Sequence, residues 1–296
     1  MRPSTHTVLI GAGGQLAFDV LRSHPGEGQI TGLKHADLDL CDHAKVADVM
    51  KSLRPTHVVS LAAFHNTDAC ESDYTRAFAV NCYGVLNLAR VCRDLDIVCA
   101  YVSTDYIFGG SKREPYTEAD RPDPINVYGM SKRAGECAVE AYASRSFIFR
   151  VSGLYGVAGS AGKGGNFVDN RIRDARLGKP IRMVDDQVLT PTHCGELASA
   201  IWSVLATDCY GTYHLTQSGQ CSWYDFTAEI FRQCGLSPQL ERQKTSESGA
   251  AARRPRYSVL ENARLKAIGL PDMKPWREAL NDYLVEKHGV ARISDW

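Results

Sequence analysis

The sequence has no long hydrophobic run. Met1-Arg-Pro-Ser-Thr-His-Thr leads into only three apolar residues, Val8 to Ile10, before a glycine-rich turn. That is too short for a signal-peptide core, and no later run approaches the roughly 20 residues of a membrane span. An excess of charge of one sign is missing too, since 34 Lys+Arg balance 34 Asp+Glu. A whole-molecule field that gathers polyanions is excluded, so neither nucleic acid nor a membrane surface is expected as a partner. Cysteine is plentiful, at ten, but no Cys-x-x-Cys pair and no compact Cys/His ligand set occurs, and no metal is expected. The chain is expected in the cytoplasm with its thiols reduced, and Cys82 and Cys99, inside apolar segments, read as small core residues.

What is present is an ordinary globular composition, 296 residues with 44% hydrophobic and 23% charged. Short apolar runs at Thr7–Ile10, Gln29–Leu33, His57–Leu61, Val98–Ser103 and Phe147–Val151 read as buried strands. Between them Val46, Val49, Met50 and Leu53 recur at helical spacing, as do Phe78, Val85, Leu88 and Val91. Strand and helix in alternation predict an α/β fold, a Rossmann-type doubly wound parallel sheet with helices on both faces. Beyond Ser152 the pattern loosens into a loop carrying Gly159, Gly162, Gly164 and Gly165. A helix near Cys194–Ala206 and a strand at Tyr213–Thr216 are expected to rejoin the sheet. This divides the chain into a dinucleotide-binding domain, 1–152 plus about 190–216, and a smaller C-terminal substrate-binding lobe, about 153–189 plus 217–296. The polar stretch from about Glu241 to Arg256 reads as a loop.

The first strand runs into Gly11-Ala12-Gly13-Gly14-Gln15-Leu16-Ala17. A glycine turn at a strand-to-helix junction lets backbone N–H groups approach a pyrophosphate at the helix N-terminus. Read as Gly-x-Gly-x-x-Gly the motif fails at Leu16; read as Gly-x-x-Gly-x-x-Gly it matches at 11 and 14, with Ala17 small enough for close packing. A plain tight turn is the competing reading, and the position at the first junction of the alternating pattern favours the cofactor. No acid closes the second strand, which offers Leu33-Lys34-His35. A cation there suits a ribose 2′-phosphate, hence NADPH over NADH, unless Lys34 is simply a solvated loop residue.

Tyr128-Gly129-Met130-Ser131-Lys132 places a phenol and an ammonium at i and i+4, about 5–6 Å apart between Cβ atoms on one helix face. A neighbouring ammonium is expected to bring the phenol from about 10 toward neutrality, fitting it to protonate an alkoxide. Alone, the pair reads equally as a packed Tyr with a snorkelling Lys. The fourth strand, however, ends in Ser103-Thr104-Asp105-Tyr106, and sites in open parallel sheets assemble at strand C-termini. Thr104 is positioned to hydrogen-bond a substrate carbonyl.

Together Gly-x-x-Gly-Gln-Leu, Ser103-Thr104-Asp105-Tyr106-Ile107-Phe108 and Asn126-Val127-Tyr128-Gly129-x-x-Lys132 resemble the extended short-chain dehydrogenase/reductases, and more narrowly the dTDP-4-dehydrorhamnose reductase family. The likeness continues in order through Leu61-Ala62-Ala63-Phe64-His65, Asp68-Ala69-Cys70-Glu71-Ser72, Asn81, Phe149-Arg150-Val151-Ser152 and Gly165-Asn166-Phe167. It ends with Asp186-Gln187, Pro191-Thr192, Trp223-Tyr224-Asp225 and Arg253-Arg254-Pro255-x-x-Ser258-x-Leu260.

The resemblance implies that Gly11, Gly14, Gln15 and Leu16 line the cofactor phosphates, Asp39 and Leu40 the adenine side, and Ala62 and Ala63 the ribose edge. It implies Thr104, Tyr128 and Lys132 as the catalytic set, with Lys132 also bonding the nicotinamide ribose, and Asp105, Asn166, Arg254 and Pro255 toward a nucleotide-sugar. An Arg there suits diphosphate oxygens, although Arg253-Arg254 without that context reads as a solvated basic face. The family usually carries Trp where this chain has Gly153, which implies a larger or differently shaped sugar pocket. His65 is either a hydrogen-bonded structural residue or a substrate contact.

The expected activity is NAD(P)H-dependent reduction of the 4-keto group of a nucleotide-linked 6-deoxy sugar, foremost dTDP-4-dehydrorhamnose to dTDP-rhamnose, and the resemblance is compatible with a homodimer. Two alternatives stand beside it. One is a non-catalytic NADP-binding subunit like the methionine adenosyltransferase β subunit, disfavoured by the intact Thr/Tyr/Lys set. The other is a nucleotide-sugar epimerase, which would retain NAD tightly; a dehydratase is disfavoured because Asp105-Tyr106 lacks the Asp-Glu pattern.

Overall fold

The structure is a computed structural model and describes residues 5–159 and 165–293. In chain order its first elements are β1 (His6–Ile10), α1 (Gln15–Arg22), β2 (Gln29–Leu33), α2 (His43–Leu53), β3 (His57–Ser60), α3 (Thr67–Ser72), α4 (Tyr74–Phe78), α5 (Val85–Asp94), β4 (Val98–Thr104), α6 (Val127–Tyr142) and β5 (Ser146–Val151). There follow β6 (Leu154–Tyr155), α7 (Phe167–Arg176), β7 (Ile181–Val184), β8 (Val188–Leu189), β9 (Thr192–His193), α8 (Cys194–Leu205) and β10 (Gly211–His214). The last are β11 (Cys221–Ser222), α9 (Trp223–Gln233), β12 (Leu240–Gln243), α10 (Ala263–Ala267) and α11 (Trp276–His288).

The main sheet has six parallel strands in the order β10-β5-β4-β3-β1-β2. The chain leaves β1 toward β2 on one side and returns to β3 on the other, so the C-terminal ends of β1 and β3 border the crevice where such sheets bind ligands. Burial explains the apolar runs: every residue of β5 is buried, because helices cover both faces, whereas the edge strand β2 is half exposed. One face packs Leu16, Ala17 and Val20 of α1 against Leu197 and Ile201 of α8. The other packs Val46 and Met50 of α2 with Val85 and Leu88 of α5 and Val139 of α6. A further apolar cluster joins Val168 and Ile172 of α7, Phe226 and Ile230 of α9, and Trp276 and Leu280 of α11.

Two local readings differ from the structure. The helical run through Phe78 and Val91 is broken by a wide π turn at Ala79–Gly84, between α4 and α5. That turn aims Asn81 back at the loop after β3: its amide accepts from Phe64 N at 2.9 Å and donates to Phe64 O and to Ser131 Oγ, both at 3.0 Å. The polar stretch read as a loop from Glu241 starts instead with β12, which pairs in parallel with β7 because alternate residues there still meet a partner strand. Of the glycine-rich loop, Gly162 and Gly164 lie outside the described residues. All ten cysteines are free thiols, with Cys99 buried and Cys82 half-buried. Among the described residues no helix is long and apolar enough to cross a membrane, and no three His, Cys, Asp or Glu side chains gather as a metal site.

One polar pair is sealed in the core. Arg150 of β5 donates from Nε and Nη2 to the carboxylate of Glu136 on α6, at 3.0 and 2.9 Å, with both side chains buried. Removing one partner leaves a buried charge uncompensated, so Glu136→Ala is expected to cost about 3–5 kcal/mol in chemical unfolding. An unchanged unfolding midpoint would contradict that account.

Candidate active site

A cleft of about 490 Å³ runs from the first turn of α1 to the start of α9. At one end, Gly11 has φ of +86°, and a Cβ there would lie 2.8 Å from Ala62 N, so only glycine lets the turn close against the loop after β3. Gly14 precedes α1 without a side-chain cap, and no acid stands in the first turn of that helix. The N–H groups of that turn therefore face the cleft, which Gly14, Gln15 and Leu16 line, and the region is fit for an anionic phosphate. Ala63 lines the same wall. Gly11 packs on Ala62 behind it.

Lys34, Asp39 and Leu40 lie beyond this wall. Lys34 is exposed just past the end of β2, and its N–H donates to Asp37 Oδ2 at 2.9 Å. The nearest acid to that strand end thus closes its own turn. Asp39 is half-buried and accepts from Cys41 N at 2.9 Å, while the Leu40 side chain is in the core against the π turn.

In the middle of the cleft, β4 ends at Thr104, and a short 3-10 turn at Asp105–Ile107 follows. Asn126 caps α6 by accepting from Gly129 N at 2.8 Å, which brings Tyr128 and Lys132 over the end of β4. Thr104, Tyr128 and Lys132, 28 residues apart at the extremes of the chain they span, all line the cleft. The Tyr128 phenol and the Thr104 hydroxyl face the same cleft. Burial pushes that phenol up; the Thr104 hydroxyl opposes the shift and the Asp105 charge adds to it.

The expected influence of Lys132 on Tyr128 is therefore corrected. Lys132 is buried and turned under the sheet: its Nζ donates to Val102 O at 2.6 Å and stands 3.9 Å from the Tyr101 ring centre. Burial pulls the ammonium down to about 7, with Glu136 opposing. Helical spacing puts the two residues on one face, but the long lysine stem follows the Val102 carbonyl near the C-terminal end of β4.

At the far end, Gly153 has φ of +53°, and a Cβ would meet Leu189 Cδ1 at 2.9 Å and Pro191 Cα at 3.2 Å. Leu189 thus fills the position a side chain at 153 would take, and with Trp223 and Phe167, whose rings stand 4.5 Å apart, it lines this end of the cleft. Asn166 lines the cleft but its amide is engaged: it accepts from Asp169 N at 2.9 Å and donates to Gly156 O and Tyr283 Oη, both at 2.8 Å. Arg254 does not reach the cleft wall. It makes a two-pronged pair with Asp68, at 3.1 and 2.7 Å, and Pro255 packs on Gly110. His65 lines the cleft at an exposed position.

The sequence reading missed the surroundings of Asp105. Its Oδ1 accepts from Thr104 Oγ1 at 3.1 Å, and its Oδ2 accepts from Ser152 Oγ at 2.9 Å and Ser258 Oγ at 2.6 Å. Ser152 directly follows β5 and was visible at a strand end. Ser258 arrives from over 150 residues away; it stands, like Phe167 and Trp223, in a segment of the family likeness, which carries no role for it. Leu189 reads in sequence as an ordinary apolar position.

Comparison with known proteins agrees with this architecture. The family model described as RmlD substrate binding domain matches residues 5–288. The chain is 37% identical over 288 residues to a dTDP-4-dehydrorhamnose reductase of Streptomyces griseus, covering 95% of this chain and 93% of that protein. It is 34% identical to the spore coat polysaccharide biosynthesis protein SpsK of Bacillus subtilis, covering 96% and 98%. Its fold superposes with a TM-score of 0.92 on a crystal structure of dTDP-4-dehydrorhamnose reductase from Bacillus anthracis in complex with NADP, at 34% identity and covering 96% and 100% of the two chains. With nearly its whole length matched, the chain belongs to the RmlD substrate binding domain family, that of the dTDP-4-dehydrorhamnose reductases.

Proposed function

We propose that the chain reduces the 4-keto group of a nucleotide-linked 4-keto-6-deoxy sugar, with dTDP-4-dehydrorhamnose as substrate and NADPH as reductant. The observation that carries this reading is the meeting of Thr104, Tyr128 and Lys132 in one cleft, opposite an uncapped helix N-terminus. Relatives named as dTDP-4-dehydrorhamnose reductases, and a similar structure described with NADP, support it.

In this reading Gly11, Gly14, Gln15 and Leu16 hold the cofactor phosphates through backbone N–H groups, and Ala62 and Ala63 shape the ribose edge. Lys34 meets a 2′-phosphate, because Asp37 is engaged in its own turn; Asp39 and Leu40 flank the adenine side. Bound NADPH supplies the hydride. Thr104 and Tyr128 hydrogen-bond the ketone oxygen, and Tyr128, its phenol kept protonated by burial, gives its proton to the developing alkoxide. Lys132, held by Val102 O in the same cleft, bonds the nicotinamide ribose. Asp105 and Gly153 stand beside the sugar, Asn166 holds α7 at its edge, and Arg254 with Pro255 turns to the diphosphate by exchanging Asp68 for phosphate oxygens, which bind a guanidinium in the same two-pronged way. Residues 1–152 with about 190–216 hold the cofactor, and 153–189 with 217–296 hold the sugar. Its place of work is the cytoplasm and its assembly a homodimer, which light scattering would read.

The test is NADPH oxidation by the purified chain with enzymatically made dTDP- and GDP-4-keto-6-deoxy sugars. Oxidation is expected with dTDP-4-dehydrorhamnose. NADPH binding without oxidation of any sugar would overturn the reductase reading in favour of a cofactor-binding subunit.

A further inference from the structure

Asp105 is buried beside the reacting centre, and its two carboxylate oxygens face different segments. Oδ2 receives Ser152 Oγ from the end of β5 and Ser258 Oγ from the C-terminal segment; Oδ1 receives Thr104 Oγ1. Thr104 has one hydroxyl proton. In the arrangement seen it goes to Asp105, while Thr104 Oγ1 accepts from Tyr106 N at 3.2 Å. So held, Thr104 has no hydroxyl proton left to donate to a ketone oxygen in the cleft.

We propose that Asp105 is a positioning residue that sets the direction of the Thr104 hydroxyl: ionised, it takes the Thr104 proton, and protonated, it gives its own proton to Thr104 Oγ1 and frees Thr104 to donate into the cleft. The two serines, each with a hydroxyl already committed to Oδ2, keep the exchange on Oδ1. The step moves no net charge through Thr104, because one O–H bond turns from Asp105 toward the substrate oxygen as the carboxylic O–H turns onto Thr104. This inference rests on the reductase reading for its kinetic consequence and on the hydrogen-bond network alone for its structural one.

Both states lie within reach near neutrality. Burial raises the carboxyl to about 6, against the lowering hydrogen bonds from Ser258, Ser152 and Thr104. The titratable groups around it are the phenols of Tyr106 and Tyr128, with Arg254 and Asp68 on the far side of Tyr106. β5 and the C-terminal segment contribute hydroxyls to it.

The variant that tests this is Asp105→Asn, whose amide N–H can donate to Thr104 while its oxygen accepts from the two serines, as protonated Asp105 would. Wild-type kcat is expected to fall above its limb by about tenfold per pH unit, whereas Asp105→Asn stays within about threefold between about pH 5.5 and 8.5. Ser258→Ala removes a donor to the ionised form and moves the limb up by about one pH unit. Asp105→Asn that keeps the wild-type limb overturns the proposal. A second measurement needs no substrate: carboxyl NMR of labelled protein, with Asp105 assigned by its absence in Asp105→Asn. Thr104→Val is expected to raise the Asp105 midpoint, as the loss of a donor to the carboxylate requires, and an unchanged midpoint overturns the proposal even if no sugar is reduced.

Discussion

Tyr128→Phe is expected to lower kcat by about 10²–10⁴-fold while leaving NADPH affinity and the fold intact. The oxygen removed shares the cleft with Thr104, and the ring packs edge-on at 6.0 Å from that of Tyr106, a contact Phe preserves. The phosphate end of the cleft, at Gly11 to Leu16, does not touch it. Burial keeps the phenol protonated throughout the neutral range, which is the state a reduction needs, since the group must give a proton as the alkoxide forms. The reverse oxidation needs the phenolate and should therefore accelerate as pH rises. Single-turnover NADPH oxidation with a separate cofactor titration distinguishes the two effects. Full activity in Tyr128→Phe would remove Tyr128 from the chemistry, and an equal loss of cofactor affinity would assign it to binding.

Lys132→Met is expected to move activity and stability in opposite directions. The ammonium is 1% exposed and satisfied by Val102 O and the Tyr101 ring, and burial lowers it from 10.5 to about 7. A depression of that size corresponds to a folded-state penalty on the order of 3–5 kcal/mol for the charged form. The sign follows from proton counting. Between about 7 and 10.5 the unfolded chain binds more protons than the folded one, so the penalty is fully present below about 7 and fades as pH rises through that window. Met fills the same apolar channel and lacks the charge, so the variant should unfold about 1–3 kcal/mol later below neutrality and lose that advantage toward pH 10. Turnover should fall about 10²–10³-fold with the loss of the side chain that positions the cofactor ribose in the cleft. A less stable variant that still turns over would show that Lys132 is a structural residue in both respects.

In energetic terms the buried lysine works against the fold. The buried pair of Glu136 and Arg150, one turn further along α6, is different in kind, because each charge there meets a partner with two hydrogen bonds.

How much of this was legible beforehand depended on the range of each signal. The strands at β1, β3, β4 and β5 and the helices between them follow from apolar periodicity over a few residues, and the structure shifts their ends by one residue or so. The glycine turn, Thr104 at a strand end and the spacing of Tyr128 and Lys132 are local patterns too. The family likeness added the order of the segments. None of these could say where a long side chain turns or what a returning segment meets. Lys132 took the Val102 carbonyl, Arg254 found Asp68 at a separation of 186 residues, and Leu189 came to fill the position a side chain at 153 would take.

The parallel sheet, the glycine turn after β1 and the side chains that meet in the cleft are all legible in the sequence, because each is written in residues that are neighbours along the chain or one helical turn apart. The tertiary structure alone decided the electrostatic state of those groups. Burial raises Tyr128 and Asp105 and lowers Lys132, and hydroxyls from two distant segments converge on one carboxylate. Dielectric and hydrogen bonding depend on everything within a few ångströms in space, and that neighbourhood exists only once the chain has closed on itself.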